Sequence, residues 1–234
     1  MPNAALDSSP VVSEDLKNRI KDSYDAIAEH YNTNFTRDHD EIRLDFLGRF
    51  LKELNVKEKD KATVLELGCG GGIPGTQILL ENQSPSIHVT ANDLSSTQID
   101  IARSNLATFS EKLTLVQGDM MQLSFPDESF DAVIGFYSVI HLPRDEQAKL
   151  VKKIVRWLKP GGLFLTNFLD KETSVAVEET WLDQEKGWMF WSGWGGKESA
   201  KMVEETGLNM LVTEIRQDLL DAAFMWVMGK KPNL

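Results

Sequence analysis

Three carboxylates lie at or beside stretches rich in aliphatic and β-branched residues, and their positions suit the binding of a small ligand. Glu66 lies in the run TVLELGCGGGIPGT, two positions before its first glycine, while Asp93 closes IHVTAND and Asp119 follows LTLVQG. Glycines directly after a strand let backbone N–H groups approach a ligand, because glycine has no Cβ and tolerates positive φ. Carboxylates around such a turn favour cationic or hydroxyl-bearing ligands.

The glycines of this run allow two interpretations: a dinucleotide site, or a site for a ligand that carries a cationic group. Residues 70–75 (GGGIPG) match the dinucleotide fingerprint G-x-G-x-x-G. In a dinucleotide site the first glycine directly follows the strand, and here that glycine is Gly68, whose frame puts Ile73 in place of the third glycine. Glu66 would repel a pyrophosphate, whereas its charge is favourable beside a cationic sulfonium or ammonium group.

Asp93 ends a predicted strand about 20–25 residues beyond the glycine turn. A carboxylate at this place holds a ribose hydroxyl in nucleotide-binding folds, so it supports an adenosine ligand without choosing between NAD and S-adenosylmethionine. The alternative is that Asp93 simply caps the helix that begins at Ser95.

A family resemblance follows from Glu66, the glycines at 68, 70 and 72, and Asp119. Glu66 and the three glycines resemble the first motif of class I S-adenosylmethionine-dependent methyltransferases. The strand that ends in Gly118 and Asp119 resembles the element of that family whose acidic side chain accepts a hydrogen bond from the adenine amino group. Dinucleotide folds have no fixed need for a carboxylate there. The resemblance covers about residues 24–168, where F-D-A-V and H-L-P also match the family.

The resemblance implies S-adenosyl-L-methionine as the cofactor and a set of residues that bind it. The cofactor-binding residues predicted in this way are Tyr31, Glu66, Gly68, Gly70, Asp93, Leu94, Asp119, Met120, Phe136 and Tyr137.

Substrate binding and catalysis are predicted for residues near the fourth strand and in an aromatic segment. His141 is the candidate general base if the acceptor must lose a proton, because an imidazole titrates near neutrality; the alternative is that it only orients a loop before Pro143. The segment 171–200 is predicted to form an aromatic lid or pocket wall, with plain packing as its alternative. The predicted substrate-binding residues are Tyr24, His141, Trp188, Trp191 and Trp194.

Strand-like and helix-like segments alternate along the chain, and this pattern predicts an α/β fold. We expect a Rossmann-like, seven-stranded, mostly parallel sheet with helices on both faces and an antiparallel final strand. Residues 1–234 are predicted to form a single methyltransferase domain, with 1–12 as a mobile arm and 13–60 as N-terminal helices that cover the cofactor.

Composition narrows the class of partner. The chain has 36 acidic and 25 basic residues and a net charge of −11, which disfavours nucleic acid and anionic membranes as partners. One cysteine excludes an internal disulfide framework, and the sequence has neither a membrane-length apolar run nor a signal-peptide pattern, so a cytoplasmic location is expected. The four histidines are scattered and Cys69 stands alone, so no metal site is predicted.

The leading hypothesis is therefore an O- or N-methyltransferase that acts on a small organic molecule, such as a secondary metabolite. A second hypothesis is a protein that binds S-adenosylmethionine without transferring its methyl group, or that catalyses another reaction in the same pocket. An NAD-dependent oxidoreductase is disfavoured by Glu66 and Ile73. The oligomeric state is left open.

Overall fold

Helices and strands alternate along most of the chain in the computed structural model, which describes residues 15–35, 40–55, 60–218 and 222–233. The predicted mobile arm, 1–12, lies outside the described residues. The strands are β1 (Lys61–Leu67), β2 (Ser86–Asp93), β3 (Leu113–Gln117), β4 (Phe130–Gly135), β5 (Leu158–Leu169), β6 (Glu172–Glu178), β7 (Met189–Trp194), β8 (Asn209–Gln217) and β9 (Ala223–Lys230). The helices are α1 (Leu16–Phe35), α2 (Glu41–Asn55), α3 (Gly75–Glu81), α4 (Ser96–Asn105), α5 (Arg144–Trp157) and α6 (Gly196–Glu204).

Seven of these strands form one sheet in the order β3-β2-β1-β4-β5-β9-β8, which confirms the predicted fold class. The four neighbouring pairs from β3 to β5 are parallel. The final strand, β9, runs antiparallel to both β5 and β8, as predicted.

Apolar side chains cover both faces of the central strand β1, as a parallel strand between two helical layers requires. Val64 faces a cluster that includes Phe46 of α2 and Leu79 of α3. Leu65, one residue further, faces the opposite cluster with Leu150 of α5. Because side chains alternate along a strand, Glu66 falls on the same face as Val64, beside the helix that follows the glycine turn.

The strand order brings the three predicted carboxylates to one edge of the sheet. Strands β3, β2 and β1 are adjacent and parallel, so their carboxyl ends lie side by side. Asp93 pairs with Gln117, two residues before Asp119, and Glu66 pairs with Ala91, two residues before Asp93. Ligands of open α/β sheets bind at this edge.

Two further elements flank that edge. Helix α1 buries Leu16 and Ile20 against Met189 and Phe190 of β7. Strands β6 and β7 form a separate antiparallel two-stranded sheet, so the aromatic segment folds as a hairpin followed by α6.

Prolines and short turns set three of the element boundaries. Helix α3 begins at Gly75, with Pro74 at its N-cap. Helix α4 ends at Asn105 and is followed by a 3₁₀ turn. Helix α5 ends at Trp157 and β5 begins at Leu158, and Lys159, directly before Pro160, favours extended backbone.

Candidate active site

Glu66 is a buried carboxylate near the carboxyl end of β1, with 4% of its surface exposed. Its Oε2 accepts a 2.6 Å hydrogen bond from the hydroxyl of Thr76. Burial raises the pKa of Glu66 to about 7, although the Thr76 hydrogen bond and the charge of Arg43 act in the opposite direction. Its Oε1 lies 2.7 Å from where a Cβ on Gly75 would stand, so glycine at 75 leaves room for the carboxylate.

Asp93 binds the glycine turn directly. Its Oδ2 accepts a 2.8 Å hydrogen bond from the N–H of Gly70, and its Oδ1 accepts one of 2.9 Å from the N–H of Ser95. The N-cap of α4 is Ser95, whose Oγ accepts from the N–H of Gln98, so Asp93 does not take the capping position. Burial raises the pKa of Asp93 to about 6, and the two backbone N–H groups oppose that rise.

Asp119 is linked to both α1 and α5 through one lysine. Its Oδ1 accepts a 2.9 Å hydrogen bond from the N–H of Met121, and its Oδ2 lies 2.8 Å from the Nζ of Lys17. Lys17 also lies 2.7 Å from Oε2 of Glu146. The sequence reasoning did not identify this lysine.

A cleft of about 80 Å³ runs along these strand ends, and we call it the strand-end cleft. Nine of the ten residues predicted to bind the cofactor line this cleft. The tenth, Glu66, lines an adjoining cavity of about 40 Å³. Residues of the cleft that were not predicted for either ligand are Lys17, Ile20, Gln98, Ser138 and Leu142.

The strand-end cleft has the features of a ligand cradle. Gly68 has φ +74°, and a Cβ there would lie 2.4 Å from Cβ of Ser138, so only glycine fits. The Oε1 of Gln98 accepts a hydrogen bond from Asn32, whereas its Nε2 is buried and has no hydrogen-bond partner among the described residues. A buried donor without a partner is costly unless a ligand pairs with it.

A second space, of about 640 Å³, adjoins the cleft, and we call it the aromatic cavity. Its walls come from α1, α2, the hairpin β6–β7 and the end of the sheet. The aromatic side chains that line it are Tyr24, Tyr31, Tyr137, His141, Trp181, Trp191 and Phe224. Arg43 enters it from α2, with its Nε 2.9 Å from Asp40 and its guanidinium 5.1 Å from the centre of the Tyr137 ring.

Only one of the three predicted substrate-binding tryptophans lines the aromatic cavity. Trp191 lines the aromatic cavity and makes an edge contact with Trp181, at 5.7 Å between ring centres. Trp188 packs beside α1, under the guanidinium of Arg19, and Trp194 packs on Arg144; neither lines the cavity. Residues 191 and 194 are an odd number of positions apart on β7, so their side chains point to opposite faces.

Four side chains line both spaces: Tyr24, Tyr31, Tyr137 and His141. They mark the place where the strand-end cleft adjoins the aromatic cavity, and we call this place the junction. Two of the four rings, Tyr24 and Tyr31, belong to α1, and the other two belong to the segment after β4, far away in the sequence.

His141 makes two hydrogen bonds at this junction. Its Nδ1 lies 2.8 Å from the carbonyl oxygen of Phe190, and its Nε2 lies 3.0 Å from the hydroxyl of Tyr24. Burial lowers the pKa of His141 to about 4, so the ring is neutral at neutral pH. The Phe190 contact also ties the segment before Pro143 to the hairpin, which is the positioning role that the sequence left as an alternative.

The described residues contain neither a metal centre nor a membrane-spanning helix. Within 15–35, 40–55, 60–218 and 222–233, no cluster of His, Cys, Asp and Glu could hold a metal ion. In the same ranges no helix combines the length and apolar character needed to cross a membrane.

Comparison with known protein families gives a match at the strand-end cleft. Residues 64–162 match the profile of a methyltransferase domain family. A sterol 24-C-methyltransferase of Aspergillus fumigatus is 39% identical over 114 residues, which is 48% of this chain and 28% of that protein. A sterol 24-C-methyltransferase of Gibberella zeae is 38% identical over 112 residues, 47% of this chain and 28% of that protein. The matches thus span less than a third of these relatives.

Solved structures show the same fold across nearly the whole chain. The 1,6-didemethyltoxoflavin-N1-methyltransferase of Burkholderia thailandensis, solved with 1,6-didemethyltoxoflavin and S-adenosylhomocysteine, superposes with a TM-score of 0.70 at 16% identity, covering 100% of this chain and 93% of that one. The [4+2]-cyclase SpnF superposes with a TM-score of 0.69 at 18% identity, covering 92% and 96%. At these identities the likeness concerns the fold alone.

Proposed function

We propose that the protein transfers a methyl group from S-adenosylmethionine to an oxygen or nitrogen atom of a small organic molecule. The premise is that residues 64–162 match a methyltransferase domain family and carry the motifs that resemble class I S-adenosylmethionine-dependent methyltransferases. The observation that carries the proposal is the junction, at which Tyr24, Tyr31, Tyr137 and His141 line both the strand-end cleft and the aromatic cavity. Two ligands placed in these spaces would meet there, as a direct transfer between them requires.

The residues of the strand-end cleft fit S-adenosylmethionine, which supplies an electrophilic methyl group on a sulfonium. Asp93 would hold the ribose hydroxyls, since two carboxylate oxygens offer about four acceptor sites and the backbone uses two. Asp119 would accept from the adenine amino group. Glu66 would face the cationic amino-acid end, and a cation there would favour its ionised form. The Nε2 of Gln98, which has no partner among the described residues, offers one more donor.

The protein contributes to such a reaction chiefly by positioning the acceptor next to the methyl group. Displacement at a sulfonium has a good leaving group, so the main requirement is to hold acceptor and methyl group in near-attack geometry. The aromatic walls suit a flat or apolar acceptor. The net charge of −11 favours a small molecule over a nucleic acid as acceptor.

A calorimetric titration with S-adenosylhomocysteine, with NADH in parallel, tests the cofactor. We expect micromolar binding of S-adenosylhomocysteine and none of NADH. Binding of NADH alone would contradict the proposal. Turnover of radiolabelled S-adenosylmethionine with a panel of small phenols and amines then tests methyl transfer itself.

Carbon methylation is a second candidate, because the sterol 24-C-methyltransferases are the relatives with 38–39% identity. Characterising the product by NMR separates the candidates, since a methyl carbon bonded to oxygen, nitrogen or carbon has a distinct chemical shift.

A protein that binds S-adenosylmethionine without transferring its methyl group remains the alternative from another functional class. The same fold is found in a [4+2]-cyclase, and fold alone does not fix the reaction. Tight binding of the cofactor with no transfer to any acceptor of the panel would favour this alternative.

A further inference from the structure

The hydroxyl of Tyr24 and the imidazole of His141 form a hydrogen-bonded pair at the junction. The distance from Tyr24 Oη to His141 Nε2 is 3.0 Å, and the two rings meet edge to face at 5.7 Å. Tyr24 also makes edge contacts with Tyr31, at 5.3 Å, and Trp181, at 5.8 Å. These contacts fix the ring of Tyr24 between the strand-end cleft and the aromatic cavity.

The direction of the hydrogen bonds follows from the partner of the other ring nitrogen. Nδ1 lies 2.8 Å from the carbonyl oxygen of Phe190, and a carbonyl can only accept. Nδ1 therefore carries the proton of the neutral imidazole, which leaves Nε2 as an acceptor. Tyr24 must then donate its own proton to Nε2, so the Tyr24 oxygen can only accept hydrogen bonds from a ligand at the junction.

We propose that Tyr24 and His141 form a proton relay that deprotonates the acceptor during methyl transfer. The inference rests on the proposed function and names the acceptor class: a molecule whose reacting atom X carries a proton, such as an alcohol, a phenol or an amine N–H. A C–H group is a poor hydrogen-bond donor and would not satisfy the Tyr24 oxygen.

Methyl transfer through this relay moves two protons and one methyl group. The X–H group donates to the Tyr24 oxygen. As the new X–CH₃ bond forms, the methyl–sulfur bond breaks and leaves its electron pair on sulfur. The proton of X passes to the Tyr24 oxygen while the phenolic proton of Tyr24 passes to Nε2 of His141. The resulting imidazolium keeps its Nδ1–H bond to Phe190 and later releases a proton to solvent.

The electrostatics of the pair favour a concerted transfer. Burial, and to a smaller extent Tyr31 and Asp93, raise the pKa of Tyr24 well above its usual value of 10.0, so a free phenolate is disfavoured. Burial lowers the pKa of His141 to about 4, so Nε2 is unprotonated at neutral pH, and a free imidazolium is disfavoured like a free phenolate. A tyrosine that receives one proton as it gives up another avoids the buried anion.

The first test is ¹⁵N NMR of the histidine-labelled protein in complex with S-adenosylhomocysteine. The signals of His141 are assigned by their absence in His141→Gln. The relay requires a neutral ring at neutral pH with the proton on Nδ1, and a shift of the Nε2 resonance in Tyr24→Phe. A ring protonated on Nε2, or an imidazolium at neutral pH, would overturn the relay whatever the acceptor.

The second test uses substituted phenols, from phenol to 4-nitrophenol, as probe acceptors with S-adenosylmethionine. Tyr24→Phe keeps the ring contacts and removes only the hydroxyl. We expect it to lower kcat about 10²-fold or more for phenol but less than about 10-fold for 4-nitrophenol, which ionises without help. The KM for S-adenosylmethionine should change far less than kcat does, because the ring contacts of Tyr24 are kept.

His141→Gln separates proton transfer from positioning, because its side-chain oxygen can still accept from Tyr24 but cannot take up a proton. We expect the same dependence on phenol acidity as in Tyr24→Phe. Equal losses across the series, or wild-type kcat for phenol in His141→Gln, would overturn the relay. A wild-type protein that fails to bind S-adenosylhomocysteine would instead contradict the proposed function.

Discussion

The strand-end cleft and the aromatic cavity are held together in different ways. In the cleft, Asp93 and Asp119 accept hydrogen bonds from the N–H groups of Ser95 and Met121, two residues further along the chain. In the aromatic cavity, Tyr24 of α1 touches Trp181 of the hairpin, and no local backbone contact joins them. Local hydrogen bonds therefore hold two carboxylates of the first space in place, whereas the wall of the second depends on long-range packing.

The two spaces also differ in how burial affects their titratable groups. In and beside the cleft, burial raises the pKa of Glu66 to about 7 and that of Asp93 to about 6, so their charges are costly until a ligand compensates them. At the junction with the cavity, burial keeps His141 and Tyr24 neutral. Buried carboxylates whose ionised form is disfavoured thus lie in and beside the cleft, whereas the groups at the junction stay neutral.

The largest expected effect is on stability, through Glu66→Gln. Burial raises the pKa of Glu66 from 4.5 to about 7, so the folded state holds a proton that the unfolded state has lost between these values. Its contribution to stability therefore falls as the pH rises through this window. We expect the variant to exceed wild type by roughly 2–3 kcal/mol at about pH 8, and by little at about pH 4.5.

Urea unfolding of the ligand-free protein at both pH values measures this difference. Glu81→Gln, an exposed carboxylate on α3, is the matched control. A gain that is the same at both pH values would contradict the raised pKa of Glu66. The same variant should bind S-adenosylmethionine less tightly, because the negative charge that a cationic ligand requires is gone.

The next effect concerns affinity in the cleft. Asp93→Ala removes a charged acceptor and should weaken the binding of S-adenosylhomocysteine by about 1.5–3 kcal/mol, on the order of 10- to 100-fold. Calorimetry measures it, and Asp100→Ala, an exposed carboxylate on α4, is the control. Since Asp93 also binds the N–H groups of Gly70 and Ser95, a thermal melt must show that the variant is folded. Unchanged affinity in a folded variant would exclude Asp93 from the site.

A smaller effect is expected in the aromatic cavity. Trp191→Leu should weaken the binding of 4-nitrophenol to the S-adenosylhomocysteine complex by about 0.5–1.5 kcal/mol, the range of an aromatic contact. Trp194→Leu, on the opposite face of the same strand, should leave that affinity unchanged. Equilibrium dialysis gives both values. If Trp194→Leu caused the larger loss, the cavity would not be the acceptor site.

The smallest effect is expected for Lys17→Met, the link between α1 and the cleft. Its Nζ lies 2.8 Å from Asp119 and 2.7 Å from Glu146, but the lysine is 25% exposed. Ion pairs of this kind contribute about 1 kcal/mol or less, and salt weakens them. Urea unfolding at low and high salt should show a small loss that disappears at high salt. A loss above about 2 kcal/mol at either salt concentration would mean that Lys17 is essential to the fold.

The sequence alone was enough for the sheet, the antiparallel final strand and the carboxylates at its edge. A strand reads as a run of β-branched and aliphatic residues, a glycine turn ends it, and parallel strands bring their carboxyl ends to one edge. Nine of the ten predicted cofactor residues consequently line one cleft, and Glu66 lies beside it. Their roles toward a cofactor stay predictions.

Only the tertiary structure decided which aromatic residues face the cavity, and it added Trp181, Arg43 and Lys17 to the two spaces. Sequence composition marked the segment 171–200 as aromatic but could not separate Trp191 from Trp194, because the face of each ring depends on where β7 begins. The hydrogen bond between Tyr24 and His141 could not be predicted from the sequence at all. It depends on how α1 packs across the end of the sheet, and residues 117 positions apart meet only when that packing is complete.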